Sequence, residues 1–193
     1  MNVRRLTPAL VVVLAALAAC ENGPATPEAA PTPAGCAAPA AGTATVEVIP
    51  GPTNGVPAAS APGAPLVIEA AVLDAACQPA AGANVRIWHT DATGLYGPGT
   101  DQCCYYAGTV ATDDAGRFRM RTIRPAQYPV PNAPPAHIHL EISHRGESLE
   151  TEIIFRDEPP PPMAPPTGQV LPIGLRPDGA GWRGEALFVL HRR

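Results

Sequence analysis

The stretch GRFRMRTI, residues 116–123, alternates apolar and basic side chains and indicates the fold class most directly. Successive side chains of a strand point to opposite faces, so Phe118, Met120 and Thr122 would share one face, with arginines on the other. This alternation predicts a β-strand that lies between a hydrophobic core and solvent.

Other segments of the chain show the same kind of pattern, separated by Pro- and Gly-containing turns. In residues 84–91, Val85, Ile87 and His89 share a face, and we interpret Trp88 on the opposite face as a second core contact. Residues 43–50 could add a further strand. No convincing segment has a helical period, so the sequence predicts an all-β fold, a β-sandwich. The predicted strands are 65–75, 84–91, 116–123, 137–144, 148–155 and 184–191.

The N-terminal residues have the pattern of an export signal. Arg4 and Arg5 precede an apolar stretch, residues 6–18, that is too short to span a bilayer as a stable helix. The sequence LAAC at 17–20 resembles a bacterial lipoprotein signal, so we expect residues 1–19 to be removed and Cys20 to carry the lipid. The alternative is an ordinary secretory signal with a chance cysteine. Both place the mature chain outside the cytoplasm, and a lipid anchor would be its contact with a membrane.

Composition divides the rest of the chain. Residues 20–65 are rich in Pro, Ala and Gly and predict a tether or a surface-lying arm, because they offer little apolar surface to bury. Residues 66–193 have the length of one domain. The net charge of −4 and the lack of a basic cluster exclude an obvious nucleic-acid partner. The sequence leaves the oligomeric state open.

Four cysteines follow Cys20: Cys36, Cys77, Cys103 and Cys104. Exported proteins keep disulfides, and adjacent cysteines rarely bond to each other, so we expect Cys77 to bond to Cys103 or Cys104. A thiolate metal site is the alternative, although the chain lacks the C-x-x-C spacing typical of one.

The most informative polar pattern is the pair His137 and His139 in HIHLEISH, residues 137–144. Their side chains would leave the same face of a strand, while Ile138 and its alternating neighbours point into the core. Tyr128 lies nine residues earlier on a loop stiffened by prolines, and Tyr96 follows another predicted strand. Two histidines alone could be solvent-facing, and two ligands do not make a metal site, so the rest of the chain would have to supply the others.

The ordered motifs DAACQPAAGANVRIWHTDATGLYG, TDDAGRFRMRTIRPAQYP and PAHIH resemble the intradiol ring-cleavage dioxygenases, the protocatechuate and catechol dioxygenase family. The resemblance runs from about Leu66 to Phe155. It extends to the family's exported branch, which has a signal peptide and a cysteine near Cys77. It implies a β-sandwich enzyme that uses O₂ to cleave catechol-type rings between the two hydroxylated carbons. The implied partners are therefore a small aromatic diol and O₂.

The resemblance also implies a mononuclear Fe(III) site formed by Tyr96, Tyr128, His137 and His139. The chemistry of the residues agrees, because a hard ferric ion prefers anionic oxygen ligands and imidazole binds iron generally. A phenol has a pKa near 10, so the cation itself would have to drive deprotonation. Tyr128 is the ligand expected to leave when substrate binds and to accept one of its protons.

Two positions depart from the family pattern: Pro134 replaces an arginine, and Glu152 replaces a glutamine. The usual residues are thought to steady negative charge on the ring, which a proline or a glutamate would not do. Another arginine could compensate, and the candidates are Arg121, Arg124 and Arg145. Otherwise the chain is a non-catalytic iron-binding module. A second alternative is a metal-free structural surface domain of transthyretin-like form. Glu152 itself could equally be a surface carboxylate or part of the site.

The remaining histidines and tyrosines suggest structural roles. We interpret His89, His144 and His191 as surface or half-buried residues, and Tyr105 and Tyr106 as packing residues.

Overall fold

A computed structural model describes residues 36–37, 44–47, 63–97, 103–158 and 170–192. These residues form eleven β-strands and no helix, which confirms the all-β prediction. Within this part of the chain, accordingly, no helix is long and apolar enough to cross a membrane. The expected signal peptide, Cys20 and most of the expected tether lie outside the described residues.

The strands match the predicted segments closely, and β4, β8, β9 and β11 are additional to them. In chain order they are β1 (Thr45–Glu47), β2 (Pro65–Leu73), β3 (Asn84–His89), β4 (Tyr106–Ala111), β5 (Arg117–Ile123), β6 (His137–His144), β7 (Glu147–Phe155), β8 (Val170–Ile173), β9 (Leu175–Asp178), β10 (Gly181–Val189) and β11 (His191–Arg192).

Two sheets make up the sandwich. The first has the strand order β1-β5-β2-β10-β9, in which β1 runs parallel to β5 and β10 parallel to β2. The second has the order β11-β7-β6-β3-β4, and β8 pairs in parallel with β7. Strand β1 confirms the further strand predicted within residues 43–50.

The core lies between the sheets, where the apolar side chains of both inner faces meet. Burial of each large aliphatic or aromatic side chain stabilises the fold by about 1.5–3 kcal/mol. The alternation of residues 116–123 is confirmed, because Phe118 and Met120 are buried while the arginines of β5 point away from the core. Other fully buried members are Ile68, Ile87, Ile138, Leu140, Ile142 and Ile153.

A tight hairpin joins β6 to β7 and sets their register. Arg145 and Gly146 both have positive φ, 46° and 84°, as a two-residue turn of type I′ requires. The predicted turn is therefore confirmed, although β7 begins one residue earlier, at Glu147. The resulting register places Glu152 directly opposite His139.

The disulfide prediction is wrong. Cys77 bonds to Cys36, and Cys103 bonds to Cys104. Cys77 lies in the turn before β3, whereas Cys104 lies next to the far end of that strand, where His89 pairs with Tyr106. A six-residue strand spans about 20 Å, so these sulfur atoms are too far apart to bond.

His89 is fully buried, which corrects its interpretation as a surface or half-buried residue. Its Nδ1 donates to the carbonyl of Thr90 at 2.6 Å, and its Nε2 contacts Thr122 Oγ1 at 2.7 Å. Burial lowers the pKa of His89 to about 4, so the ring is neutral at pH 7. The ring stacks on Tyr106, a packing residue as predicted.

Candidate metal centre

The four side chains predicted as metal ligands converge on one point beside β6. Tyr96 Oη lies 2.5 Å from Tyr128 Oη and 2.8 Å from His139 Nε2. Tyr128 Oη lies 3.0 Å from His137 Nε2, and the two histidine Nε2 atoms are 3.1 Å apart. Two oxygens and two nitrogens from three segments of the chain therefore face a common centre.

Strand β6 supplies both histidines on its outer face, because residues 137 and 139 alternate with the buried Ile138. The neighbouring strand β3 places Trp88 directly opposite His139, and the two rings stack with centroids 5.1 Å apart. Trp88 is half-buried on this outer face, which corrects its interpretation as a core residue. The alternation of β3 could have indicated the outer position of Trp88, because it places this residue on the face opposite Val85 and Ile87.

A compact turn after β3 holds Tyr96. Asp91 Oδ1 accepts hydrogen bonds from the backbone N–H groups of Thr93 and Leu95, at 2.7 and 3.1 Å. The backbone of Tyr96 is tied to the start of β4 through the N–H of Tyr105, which donates to its carbonyl at 2.6 Å. Asp91 and the hydrogen bond from Tyr105 thus fix the position from which the phenol extends.

Gly94 allows the Tyr96 turn and the Tyr128 loop to meet. Its φ is +85°, and a Cβ atom there would collide with the carbonyl of Gln127. Two hydrogen bonds join the same two segments. The N–H of Ala126 donates to the carbonyl of Asp91 at 3.0 Å, and Thr90 Oγ1 donates to the carbonyl of Ala126 at 2.8 Å. The phenol groups of Tyr96 and Tyr128 lie close together because the backbones of the turn and the loop that carry them are in contact.

The Tyr128 loop is closed on itself without forming a strand. Gln127 Nε2 donates to the carbonyl of Ala133 at 2.7 Å, and the N–H of Val130 donates to the carbonyl of Tyr128 at 2.8 Å. The prolines of this segment restrict its backbone further. The loop carries Tyr128 to the histidines at the start of β6.

In the absence of a cation, the pKa shifts of three of these groups, the two phenols and His139, favour their neutral forms. Burial, together with the hydrogen bond and charge of Tyr128 and the charge of Glu152, raises the pKa of Tyr96 well above 10. Burial also raises the pKa of Tyr128; the hydrogen bond from Tyr96 opposes this in part, and the charge of Glu152 adds a smaller increase. Burial and the neighbouring His137 and His89 lower the pKa of His139 to about 4. At neutral pH both phenols are protonated and the His139 ring is uncharged.

The contacts of the two Nδ1 atoms direct the lone pairs of the Nε2 atoms inward. His137 Nδ1 donates to the carbonyl of Pro135 at 2.7 Å, and His139 Nδ1 faces Glu152 Oε1 at 3.4 Å. With both protons on Nδ1, the two Nε2 atoms meet at 3.1 Å with no proton between them. Ligands about 2 Å from one ion are separated by about 3 Å, so this donor set fits a single metal ion.

Glu152 belongs to this site, which settles the choice between a surface carboxylate and a site residue. It is 7% exposed, and with His137 and His139 it forms a group whose ligand atoms lie within 4.8 Å of one another. Its contact is with Nδ1 of His139, on the side of the ring away from the tyrosines. It therefore acts on the cluster through His139.

The arginines proposed to compensate for Pro134 lie elsewhere or are engaged. Arg124 forms ion pairs with Asp157 and Glu158, both at 2.9 Å, and lies over the ring of Phe155. Arg145 is in the hairpin at the opposite end of β6, and Arg121 is exposed on the other sheet.

Comparison with known proteins gives the same family for sequence and fold. A family model described as "Dioxygenase" matches residues 51–164. The chain is 40% identical over 80 residues to a chlorocatechol 1,2-dioxygenase from Pseudomonas sp. (strain P51), a match that covers 40% of this chain and 32% of that protein. Such matches cover less than half the length of these curated relatives.

Two solved structures share the fold. The dioxygenase domain of a dioxygenase carbohydrate-binding protein fusion from Streptomyces sp. SirexAA-E is 27% identical with a TM-score of 0.60, covering 78% of this chain and 91% of that one. A catechol 1,2-dioxygenase from Acinetobacter sp. ADP1 is 25% identical with a TM-score of 0.58, covering 77% and 57%.

Proposed function

The chain belongs to the intradiol ring-cleavage dioxygenase family, and from that membership we propose that it binds Fe(III) and cleaves catechol-type rings with O₂. The substrate is a small aromatic diol, and the reaction opens the ring between the two hydroxylated carbons. The convergence of Tyr96, Tyr128, His137 and His139 carries the proposal. Two phenols beside two inward-facing imidazole lone pairs suit a hard trivalent cation better than a structural role.

The protein's part in the reaction is to hold the donors and to move protons. A bound ferric ion would supply the Lewis acidity that converts the diol to its dianion and makes the ring reactive towards O₂. His137 and His139 are held by Pro135 and Glu152, so they remain fixed as ligands. When iron is bound, one of the two phenolate oxygens could accept a hydroxyl proton of an arriving diol as it leaves the ion.

Tyr128 is the better candidate for the ligand that leaves. The backbone of Tyr96 is tied to Tyr105 at the start of β4, whereas the described backbone hydrogen bond of Tyr128 is local, to Val130 in its own loop. A swing of the Tyr128 phenol would leave the loop's hydrogen bonds, Ala126 to Asp91 and Gln127 to Ala133, in place. In this role Tyr128 Oη takes one substrate proton as it departs.

Two sequence changes favour a second candidate, a non-catalytic iron-binding module. Glu152 is buried beside the site where the family has an amide, and Pro134 is exposed where the family has an arginine. Both changes remove positive or neutral hydrogen-bond donors from a reaction that builds negative charge on the ring. This module would keep the metal while turnover is slow or lost.

Oxygen consumption tests the proposal. We expect iron-loaded protein to take up O₂ with a catechol, and Tyr128→Phe to lower the rate by about 10²–10⁴-fold, as for loss of a positioned proton acceptor. The matched control is Tyr105→Phe, which removes a phenol from a packing residue outside the cluster and should leave the rate unchanged. Iron-loaded protein that consumes no O₂ across a panel of substituted catechols would favour the non-catalytic module.

We propose also that the protein is exported and anchored by a lipid on Cys20. The support is the arginine, apolar and small-residue pattern of residues 1–20, together with the Cys36–Cys77 disulfide, since such bonds persist outside the cytoplasm. Cys20→Ala should release the protein from the membrane fraction, and membrane association unchanged by this substitution would contradict the anchor.

A further inference from the structure

We propose that Glu152 is a positioning residue that holds His139 in the ligand orientation and stabilises the ferric over the ferrous state through its negative charge. The inference rests on the ferric site proposed above. It concerns a position at which this chain carries a carboxylate in place of the family's amide.

The contact that supports it is between Glu152 and the ring nitrogen of His139 that points away from the tyrosines. Glu152 Oε1 lies 3.4 Å from His139 Nδ1, and the β6–β7 register places the two residues directly opposite each other. Stacking against Trp88, with an angle of 9° between the ring planes, limits rotation of the imidazole. The carboxylate and the indole thus hold Nε2 of His139 towards Tyr96.

The two histidines differ in what their Nδ1 atoms face. His137 donates to a neutral acceptor, the carbonyl of Pro135, whereas His139 faces a carboxylate. A carboxylate behind a metal-bound imidazole makes the ring a stronger electron donor than a carbonyl does. His139 is therefore the stronger nitrogen donor of the pair.

Glu152 lies beside the donor set, since its carboxylate and the ligand nitrogens of His137 and His139 lie within 4.8 Å of one another. Two phenolates offset two of the three charges of a ferric ion, and the carboxylate offsets the third. Reduction to Fe(II) would leave an excess negative charge in a buried site, which burial penalises. The ferric state is favoured for this reason.

The test uses iron-loaded protein without substrate and compares Glu152→Gln, Glu152→Ala and Glu150→Gln. Glu150 is the matched control, because it lies on the same face of β7 two residues away and is exposed. We expect Glu152→Gln to raise the Fe(III)/Fe(II) midpoint potential and to move the tyrosinate-to-iron band to longer wavelength. Glu152→Ala should do the same and weaken iron binding by about 10–100-fold. Glu150→Gln should change neither.

Nitrogen-15 NMR of metal-free protein tests the positioning role without iron. His139 should carry its proton on Nδ1 in the unsubstituted protein and in Glu152→Gln, and it should lose this preference in Glu152→Ala. A proton on Nε2 in the unsubstituted protein would overturn the inference. So would a midpoint potential in Glu152→Gln equal to that of the unsubstituted protein, or an equal shift in Glu150→Gln.

Failure of the two proposals can be told apart. Unsubstituted protein that binds no ferric ion would contradict the proposed function and this inference together. Iron-loaded protein that turns over catechols, but whose potential and spectrum do not respond at position 152, contradicts the inference alone.

Discussion

The two faces of strand β6 are stabilised in different ways. On the inner face Ile138, Leu140 and Ile142 are fully buried and pack against the opposite sheet through contacts that need no particular direction. On the outer face His137 and His139 are held by partners at defined atoms. The core face needs apolar volume, whereas the outer face needs specific polar atoms at specific distances.

This difference separates stability from chemistry along a single strand. Loss of an inner side chain leaves a cavity in the sandwich but leaves the directed contacts on the other face in place. Loss of an outer side chain removes one donor from the cluster, while the core between the sheets stays intact. Neighbouring substitutions should therefore have separable effects.

The largest effect is expected for His137→Ala. It removes one of four donors, so iron affinity should fall by more than the roughly 10–100-fold typical of losing only an outer hydrogen-bond partner of a ligand. The free energy of unfolding of the metal-free protein should change little, because the cluster is held by several other contacts. Chelator competition measures the affinity. Iron affinity equal to that of the unsubstituted protein would remove His137 from the site.

Ile138→Ala, one residue along, should show the opposite pattern. Truncation of a fully buried isoleucine should lower the free energy of unfolding by about 2–5 kcal/mol, measured in denaturant. The iron-loaded variant should keep the same visible spectrum below its unfolding transition. A changed spectrum in folded protein would mean that the two faces are coupled.

A smaller effect is expected for Gly94→Ala, which tests how the two tyrosine segments meet. A left-handed backbone costs a residue with Cβ about 1–2 kcal/mol, and the added Cβ would also collide with the Gln127 carbonyl. The variant should lose stability and weaken the tyrosinate band, because Tyr96 and Tyr128 are pushed apart.

Gly82→Ala is the control for Gly94→Ala. Gly82 has φ +71°, and a Cβ there would meet no atom within 4 Å. Gly82→Ala introduces the same backbone strain without the collision. It should therefore lower the free energy of unfolding and leave the tyrosinate-to-iron band unchanged. Equal weakening of the band in both variants would show that Gly94 has no special part in bringing the tyrosines together.

The sandwich could be predicted from the sequence because alternation reports directly on which face is buried. Residues 116–123 and 137–144 form the expected strands with the expected inner faces. Strands β8 and β9 were not predicted, since each has four residues and carries little alternation.

The candidate site could be predicted only in part. Spacing places His137 and His139 on one face, and the resemblance suggested Tyr96 and Tyr128. The roles of Glu152 and Trp88 depend on cross-strand register, which no single segment shows. For Glu152 that register is set by the hairpin at Arg145 and Gly146. The disulfide prediction failed for a related reason, because it depended on which strand ends are neighbours.

Iron loading with a visible spectrum tests the four-ligand centre most directly. Protein reconstituted with Fe(III) should bind one ion per chain and turn red-brown through tyrosinate-to-iron charge transfer, and the colour should be lost when Tyr96 and Tyr128 are both replaced by Phe. A colourless protein that takes up no iron, or that binds zinc stoichiometrically in its place, would contradict it.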